Sequence, residues 1–188
     1  MTRLTHRLGI RLATEDDISA IVRVVNAAYR RDLADSAWTT EAHLVAGPRA
    51  DGQSVALLIS RVGSLILVAE CERALVATVH LERVAHAEVH LGMLAVDPTC
   101  QAGGIGSALL RAAECHACRS WGTTRITIDV ISLRSELMEF YQRRGYRPTG
   151  TVMAFPANAG VGVPITSNLH LAQMEKHLDA KAIQSARI

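Results

Sequence analysis

Apolar residues along this chain change spacing at regular intervals, and the changes mark its elements. Leu8 to Ala13 reads as a first strand. Thr14 followed by Glu15, Asp16 and Asp17 then makes a helix start, a hydroxyl cap with acidic residues in the first turn. The spacing predicts a helix over 15–31, with Ile18, Ile21, Val22, Val25 and Tyr29 on one stripe. Thr39 or Thr40 predicts a second, short helix toward Ala46, and Gly47-Pro48 and Asp51-Gly52 punctuate the chain after it. Residues 54–60 read as a helical turn or two. Strands follow at 65–71, 74–83 and 88–96, the first two joined by a tight hairpin at Cys71-Glu72-Arg73. A helix over 104–120 ends at Gly122. A strand is expected over 125–131, then a helix from Ser132 or Ser135 to Arg144, closed by Gly145. Residues 149–154 read as a strand, 156–164 as a Gly/Pro loop, 169–177 as a last strand, and 179–188 as a frayed tail.

One junction in this pattern carries chemistry. The apolar run Leu94-Ala95-Val96 stops at Asp97-Pro98, a short loop ends in Gly103, Gly104 and Gly106, and an amphipathic helix begins. The first N–H groups of a helix lack intrahelical partners and lie at the positive end of its dipole. Glycines let backbone close onto a phosphate without a Cβ in the way. A phosphorylated ligand is therefore expected here. No Lys-Ser/Thr follows the glycines, so this is not the nucleotide P-loop, and a third glycine at the dinucleotide offset is missing.

Composition narrows the class. The chain has 188 residues, 49% of them apolar, and a formal charge of +2. One domain over 1–188 with a substantial core is the expectation. Without a basic block, no nucleic-acid partner is expected, and the longest apolar runs are too short to span a bilayer. The N-terminal MTRLTHRLGIRL has no apolar signal-peptide core, so a cytoplasmic protein is expected. Of the four cysteines only Cys115 and Cys118 are closely spaced, and no second pair completes a zinc site. No metal is expected, and the histidines at 43, 80, 86, 116, 170 and 177 show no ligand spacing.

The stretch Gln101-x-x-Gly104-x-Gly106, entered from Val96-Asp97-Pro98, resembles the acetyl-CoA pyrophosphate loop of the GNAT superfamily of N-acetyltransferases. The strand 125–131 and the helix ending Phe140-Tyr141-Gln-Arg-Arg-Gly145-Tyr146 look like that family's second signature. The resemblance spans about residues 8–178. It implies an α/β fold with a central mixed sheet of about seven strands flanked by helices, splayed between the strands at 88–96 and 125–131. The segment Trp38-Thr-Thr-Glu41-Ala42 is similar to one in a bacterial-type branch, a match that bears on the fold and not on the acceptor.

Site residues follow from the resemblance. Backbone groups of Gln101, Ala102, Gly103, Gly104, Ile105, Gly106 and Ser107 would hold the pyrophosphate, and those of Leu94, Ala95 and Val96 the pantetheine arm. An N–H near Val96 would polarise the thioester carbonyl. Tyr141 matches the family's general acid, a phenol able to protonate a leaving thiolate, although Leu133, Leu137 and Tyr141 also share a helix face that packing alone would explain. Glu88 and His90, alternating along the strand to Leu94, and Asp129 on the next strand are the candidate general bases. Arg134 stands where many relatives carry an Asn on the coenzyme; it would grip a phosphate or an acceptor carboxylate, or pair with Glu136 or Glu139. Tyr29 and Trp38 are candidates to line the acceptor pocket, and core packing is the plainer role for both. Phe140 and Tyr146 read as packing. No Cys ends a strand beside a paired His, so direct transfer of acetyl from acetyl-CoA to an amine in a ternary complex is expected. The alternatives are a non-catalytic acyl-CoA-binding regulatory module and an enzyme for a longer acyl chain. The family also allows a homodimer.

Overall fold

The computed structural model describes residues 8–30, 40–101, 103–157 and 159–179. Its elements are β1 (Gly9–Leu12), α1 (Ile18–Arg30), β2 (Val45–Ala46), α2 (Gly52–Ser60), β3 (Ser64–Cys71), β4 (Ala74–Ala85), β5 (Glu88–Val96), α3 (Ile105–Trp121), β6 (Arg125–Ile131), α4 (Ser135–Gln142), β7 (Arg147–Ala154), β8 (Val163–Pro164) and β9 (His170–His177). Single 3-10 turns precede α1 at Glu15–Asp17 and follow β5 at Pro98–Cys100.

Seven strands form one mixed sheet in the order β1-β3-β4-β5-β6-β9-β7. The β3–β4 hairpin closes on Glu72 and Arg73, both at positive φ (51° and 66°), the backbone that a two-residue turn between right-twisted strands requires. Only β5 and β6 run parallel, because α3 carries the chain back between them. Their pairing is short, from Glu88 opposite Arg125 to Leu91 opposite Ile128. Beyond it the two strands separate, as the family resemblance implies.

Each face of the sheet has its own core. Leu67, Val79, Leu81, Val89, Leu91, Ile126 and Ile128 pack under α3 and α4, around Leu109, Leu110 and Tyr146. Ile66, Val68, Leu75, Met93 and Ala95 pack under α1 and α2. A polar bridge ties α3 to the sheet: buried Glu114 accepts from the Tyr146 hydroxyl at 3.1 Å and from Lys176 Nζ at 2.7 Å. At the start of α1, Arg11 binds Asp17 at 2.6 Å and holds its carboxyl down near a pKa of about 2.

Two sequence expectations are corrected. No helix forms at 40–46; a turn at 42–44 leads into β2, which pairs with β8. Such a segment is too short to be helical on propensity alone, and the long-range pairing wins. For the same reason the loop expected at 156–164 contains a strand, β8.

His80 on β4 is 6% exposed and bridges elements. The Ser64 hydroxyl donates to the Leu58 carbonyl at 2.6 Å, so it must accept from His80 Nε2, 2.9 Å away. The imidazole is therefore the neutral Nε2–H tautomer. Burial pushes its pKa down to about 4. The unfolded chain takes up this proton near 6.5 and the folded chain only near 4, so stability present at neutral pH is lost as the pH falls through that window. Urea unfolding between pH 7 and 4 is expected to show a loss of about 3 kcal/mol from this group, and His80→Gln to flatten that part of the profile.

Candidate active site

The site begins with a break in β5. Opposite β4, Thr78 pairs with Ala95 and His80 with Gly92, so the single residue Val79 faces both Met93 and Leu94. This bulge puts Met93 at φ +49°, in the left-handed region that non-glycine residues rarely occupy. It also exchanges the faces of the strand. Val89 and Leu91 belong to the α3 core, whereas Met93 and Ala95 belong to the α1 core. Steady alternation from Glu88 through His90 to Leu94, as the sequence suggests, does not hold. The Leu94 carbonyl is taken by the Tyr29 hydroxyl at 3.1 Å. Burial pushes the pKa of Tyr29 up to about 12, so it stays a donor.

Two cavities open where β5 and β6 separate. The larger, about 270 Å³, lies between the end of β5, the start of α3 and one face of α4. Its walls are Leu94, Val96, Leu137 and Phe140, and at one end stand Gln101, Gly104, Gly106 and Ser107. Gly104 caps α3 at φ +75°, a conformation that a side chain would strain. The first intrahelical bond runs from the Ala108 N–H to the Gly104 carbonyl, which leaves the N–H groups of Ile105, Gly106 and Ser107 without intrahelical partners. Arg144 is the one charged side chain on this cavity among the described residues. Its guanidinium lies 3.4 Å from the Phe140 ring centroid, donates to the Phe140 carbonyl at 2.6 Å and hydrogen-bonds Ser107 Oγ.

The second cavity, about 200 Å³, lies on the α1 side. Tyr29, Glu41, Arg49, His90, Gly92 and Asp129 line it, under Phe155, Pro156 and Val161. His90 Nε2 is 3.9 Å from Asp129 Oδ2, and Gln173 Nε2 reaches Asp129 Oδ1 at 3.4 Å. Arg30 straps the roof down. It binds Glu41 at 3.1 Å and donates to the carbonyls of Gly47 at 2.8 Å and Val161 at 2.6 Å. The strap needs Gly162, at φ +103°, where a Cβ would stand 2.6 Å from Val45 Cγ1 and 2.8 Å from the Ala46 carbonyl oxygen.

Leu94, Leu137 and Tyr141 line both cavities. Tyr141 is 6% exposed, packed edge-on between Phe140 and Tyr146. Burial raises its pKa well above that of a free phenol, so the hydroxyl is protonated. Among the described residues nothing hydrogen-bonds that hydroxyl.

The structure brings together Leu94, Val96, Gln101, Gly104, Ile105, Gly106, Ser107 and Tyr141 on the larger cavity, and Tyr29, His90 and Asp129 on the smaller one. It separates others. Glu88 sits at the far end of β5 in an ion pair with Arg125 at 2.8 Å, outside both cavities. The bulge turns the Ala95 side chain into the α1 core, leaving only its backbone for a ligand. Gly103 is exposed and off the cavity walls. Arg134 is 3% exposed and lines neither cavity; it donates to the Thr40 carbonyl at 2.9 Å and pairs with Glu136 at 2.5 Å. Ala102 and Trp38 lie outside the described residues. Leu133 is 63% exposed, so the face it was to share with Leu137 and Tyr141 is not a packing stripe. Phe140, read as packing, forms a cavity wall. Sequence reasoning missed Arg144, Arg49 and Glu41; the Arg143-Arg144 pair ahead of Gly145 was the one local hint.

Residues 63–148 match the family model described as an acetyltransferase (GNAT) domain. Among curated proteins no sequence matches the chain. Among solved structures it is similar to the ribosomal-protein-S18-alanine N-acetyltransferase from Escherichia coli (16% identity, TM-score 0.69, covering 92% of this chain and 95% of that one). It is also similar to a ribosomal-protein-alanine N-acetyltransferase from Brucella melitensis (22%, 0.68, 90% and 99%). A third similar structure is a PaiA N-acetyltransferase from Thermoplasma acidophilum in complex with coenzyme A (18%, 0.64, 92% and 99%). The seven-stranded mixed sheet flanked by helices is the acyl-CoA N-acyltransferase fold. The chain thus carries a segment that matches the GNAT acetyltransferase domain, within a fold shared with these N-acetyltransferase structures.

Gly162→Ala is expected to cost about 2 kcal/mol, because it adds a clash to a positive φ. Thermal unfolding checks the loss of stability.

Proposed function

We propose that the protein moves the acetyl group of acetyl-CoA directly to the primary amine of a small-molecule acceptor, with both substrates bound together. One observation carries this: two cavities on opposite sides of the opened sheet share a wall at Leu94, Leu137 and Tyr141. A coenzyme on one side and an amine on the other would meet there.

The larger cavity suits acetyl-CoA. The N–H groups of Ile105, Gly106 and Ser107 and the Arg144 guanidinium offer donors and positive charge to a pyrophosphate, and Leu94, Val96 and Leu137 offer apolar walls to the pantetheine arm. Bound there, acetyl-CoA supplies the acetyl group as an activated thioester. Transfer breaks the carbon–sulfur bond and forms a carbon–nitrogen bond; the amine loses a proton and the thiolate gains one. Tyr141, protonated by burial and free to donate, serves the thiolate. In the acceptor cavity His90 takes the amine proton, and Asp129, held by Gln173, stabilises the resulting cation. Among the described residues no Cys, Ser or Thr lines both cavities, which favours direct transfer over an acyl-enzyme.

Tyr141→Phe is expected to lower kcat by about 10²- to 10⁴-fold while acetyl-CoA still binds, as measured by thiol release and by calorimetry. Arg144→Ala should weaken acetyl-CoA about tenfold or more and flatten the salt dependence of its Kd. Failure of the parent protein to bind acetyl-CoA would overturn the reading. Binding without turnover on any amine would reduce the protein to a coenzyme-binding module.

A further inference from the structure

We infer that the acceptor is a small zwitterion, a primary amine that carries its own carboxylate or equivalent oxyanion, and that Arg49 is the residue that grips the anion. The inference rests on the acetyl-transfer reading and names the substrate class of the second cavity.

Arg49 lines that cavity and is only partly exposed. Its backbone N–H donates to Asn26 Oδ1 at 2.7 Å, which anchors the residue to α1, and its guanidinium lies 5.5 Å from the Tyr29 ring centroid. Among the described residues no carboxylate is within ion-pair distance of it. The nearby Glu41 is already committed to Arg30 at 3.1 Å. Arg49 thus presents a planar donor fork with no anion from the described residues, and that fork matches a carboxylate bidentately.

The cavity carries the opposite charge on the strand side. The partners within reach of Asp129 are His90 at 3.9 Å and the Gln173 amide at 3.4 Å, and neither is a permanent cation. An ammonium group entering beside Asp129 and His90 is attracted there, and an anion on the same molecule is attracted to Arg49. A polyamine brings a second cation toward Arg49. A neutral amine covers Arg49 and leaves a desolvated charge unpaired, which is costly. At about 200 Å³ the space is smaller than the ~300–1,000 Å³ of drug-sized ligand sites, which suits a compact acceptor.

The experiment measures kcat/KM by thiol release at saturating acetyl-CoA for α-amino acids, their α-amides, an aminophosphonic acid, a short peptide and spermidine. It uses the parent protein, Arg49→Gln and Arg49→Lys, with acetyl-CoA affinity read separately by calorimetry. At least one amino acid or aminophosphonic acid should exceed its uncharged counterpart by about 100-fold. Arg49→Gln should collapse that ratio toward one through KM, Arg49→Lys should restore part of it, and the Kd for acetyl-CoA should not move. The aminophosphonic acid arm separates a carboxylate requirement from a general oxyanion requirement. Preference for an amide, for the peptide with its C-terminus amidated, or for spermidine overturns the inference, and so does turnover on no amino acid or aminophosphonic acid by a protein that binds acetyl-CoA. A parent protein that does not bind acetyl-CoA fails at the earlier reading instead.

Discussion

The bulge in β5 is the constraint on which the site depends. A regular strand would pair with β4 and β6 along its full length and bury alternate residues on fixed faces. Here one residue too many in β5 forces Met93 into a left-handed conformation and exchanges the two faces. Leu94 and Val96 then look toward α3 and α4, while the backbone of Leu94 is left for Tyr29. Pairing with β6 stops at Leu91, and the wedge that opens holds both cavities. The strain at Met93 is held by cores on both sides, which fix Val89 and Leu91 below it and Ala95 above it.

Charge is distributed with a clear division. Structural charges are closed on each other: Glu114 with Lys176 and Tyr146, Arg125 with Glu88 and Glu175, Arg30 with Glu41. The first two sets tie together elements distant in sequence. Around the wedge the pattern differs. Arg144 is held by a carbonyl and a hydroxyl, and Arg49 by an aromatic face; each lines a cavity. Groups stabilised by neutral contacts stay available to an incoming anion, and those locked in ion pairs do not.

Much of this was legible in the sequence where the signal is local. The strands at 88–96 and 125–131, the cap of α3 at Gly104 and the closure of α4 by Gly145 all follow from periodicity and glycine placement. The glycine-rich start of α3 was legible for the same reason, since a helix start and its glycines are contiguous. What escaped depends on contacts across the chain. β2 and β8 exist because they pair with each other, 117 residues apart from Ala46 to Val163. Alternation put Glu88 on the same face as His90, but could not show that it lies at the far end of β5, paired with Arg125 and outside both cavities. Arg134 stood at a family position for coenzyme contact, yet Thr40 and Glu136 take its guanidinium. Arg49 carries no sequence signal, since only the fold places Asp129 across a cavity from it.

The two cavities also differ in how the chain builds them. Every residue on the larger one lies between Leu94 and Arg144, inside the segment 63–148 that matches the GNAT domain. The smaller one shares the β5, β6 and α4 walls of that segment but adds Tyr29, Glu41, Arg49 and the stretch from Phe155 to Leu171, all outside it. The larger cavity is thus written in one continuous passage of sequence, while the smaller one also needs separate pieces brought together by the Arg30 strap. Replacing those pieces would reshape the smaller cavity and leave the larger one standing, so the match to the GNAT domain speaks to one cavity and is silent on much of the other.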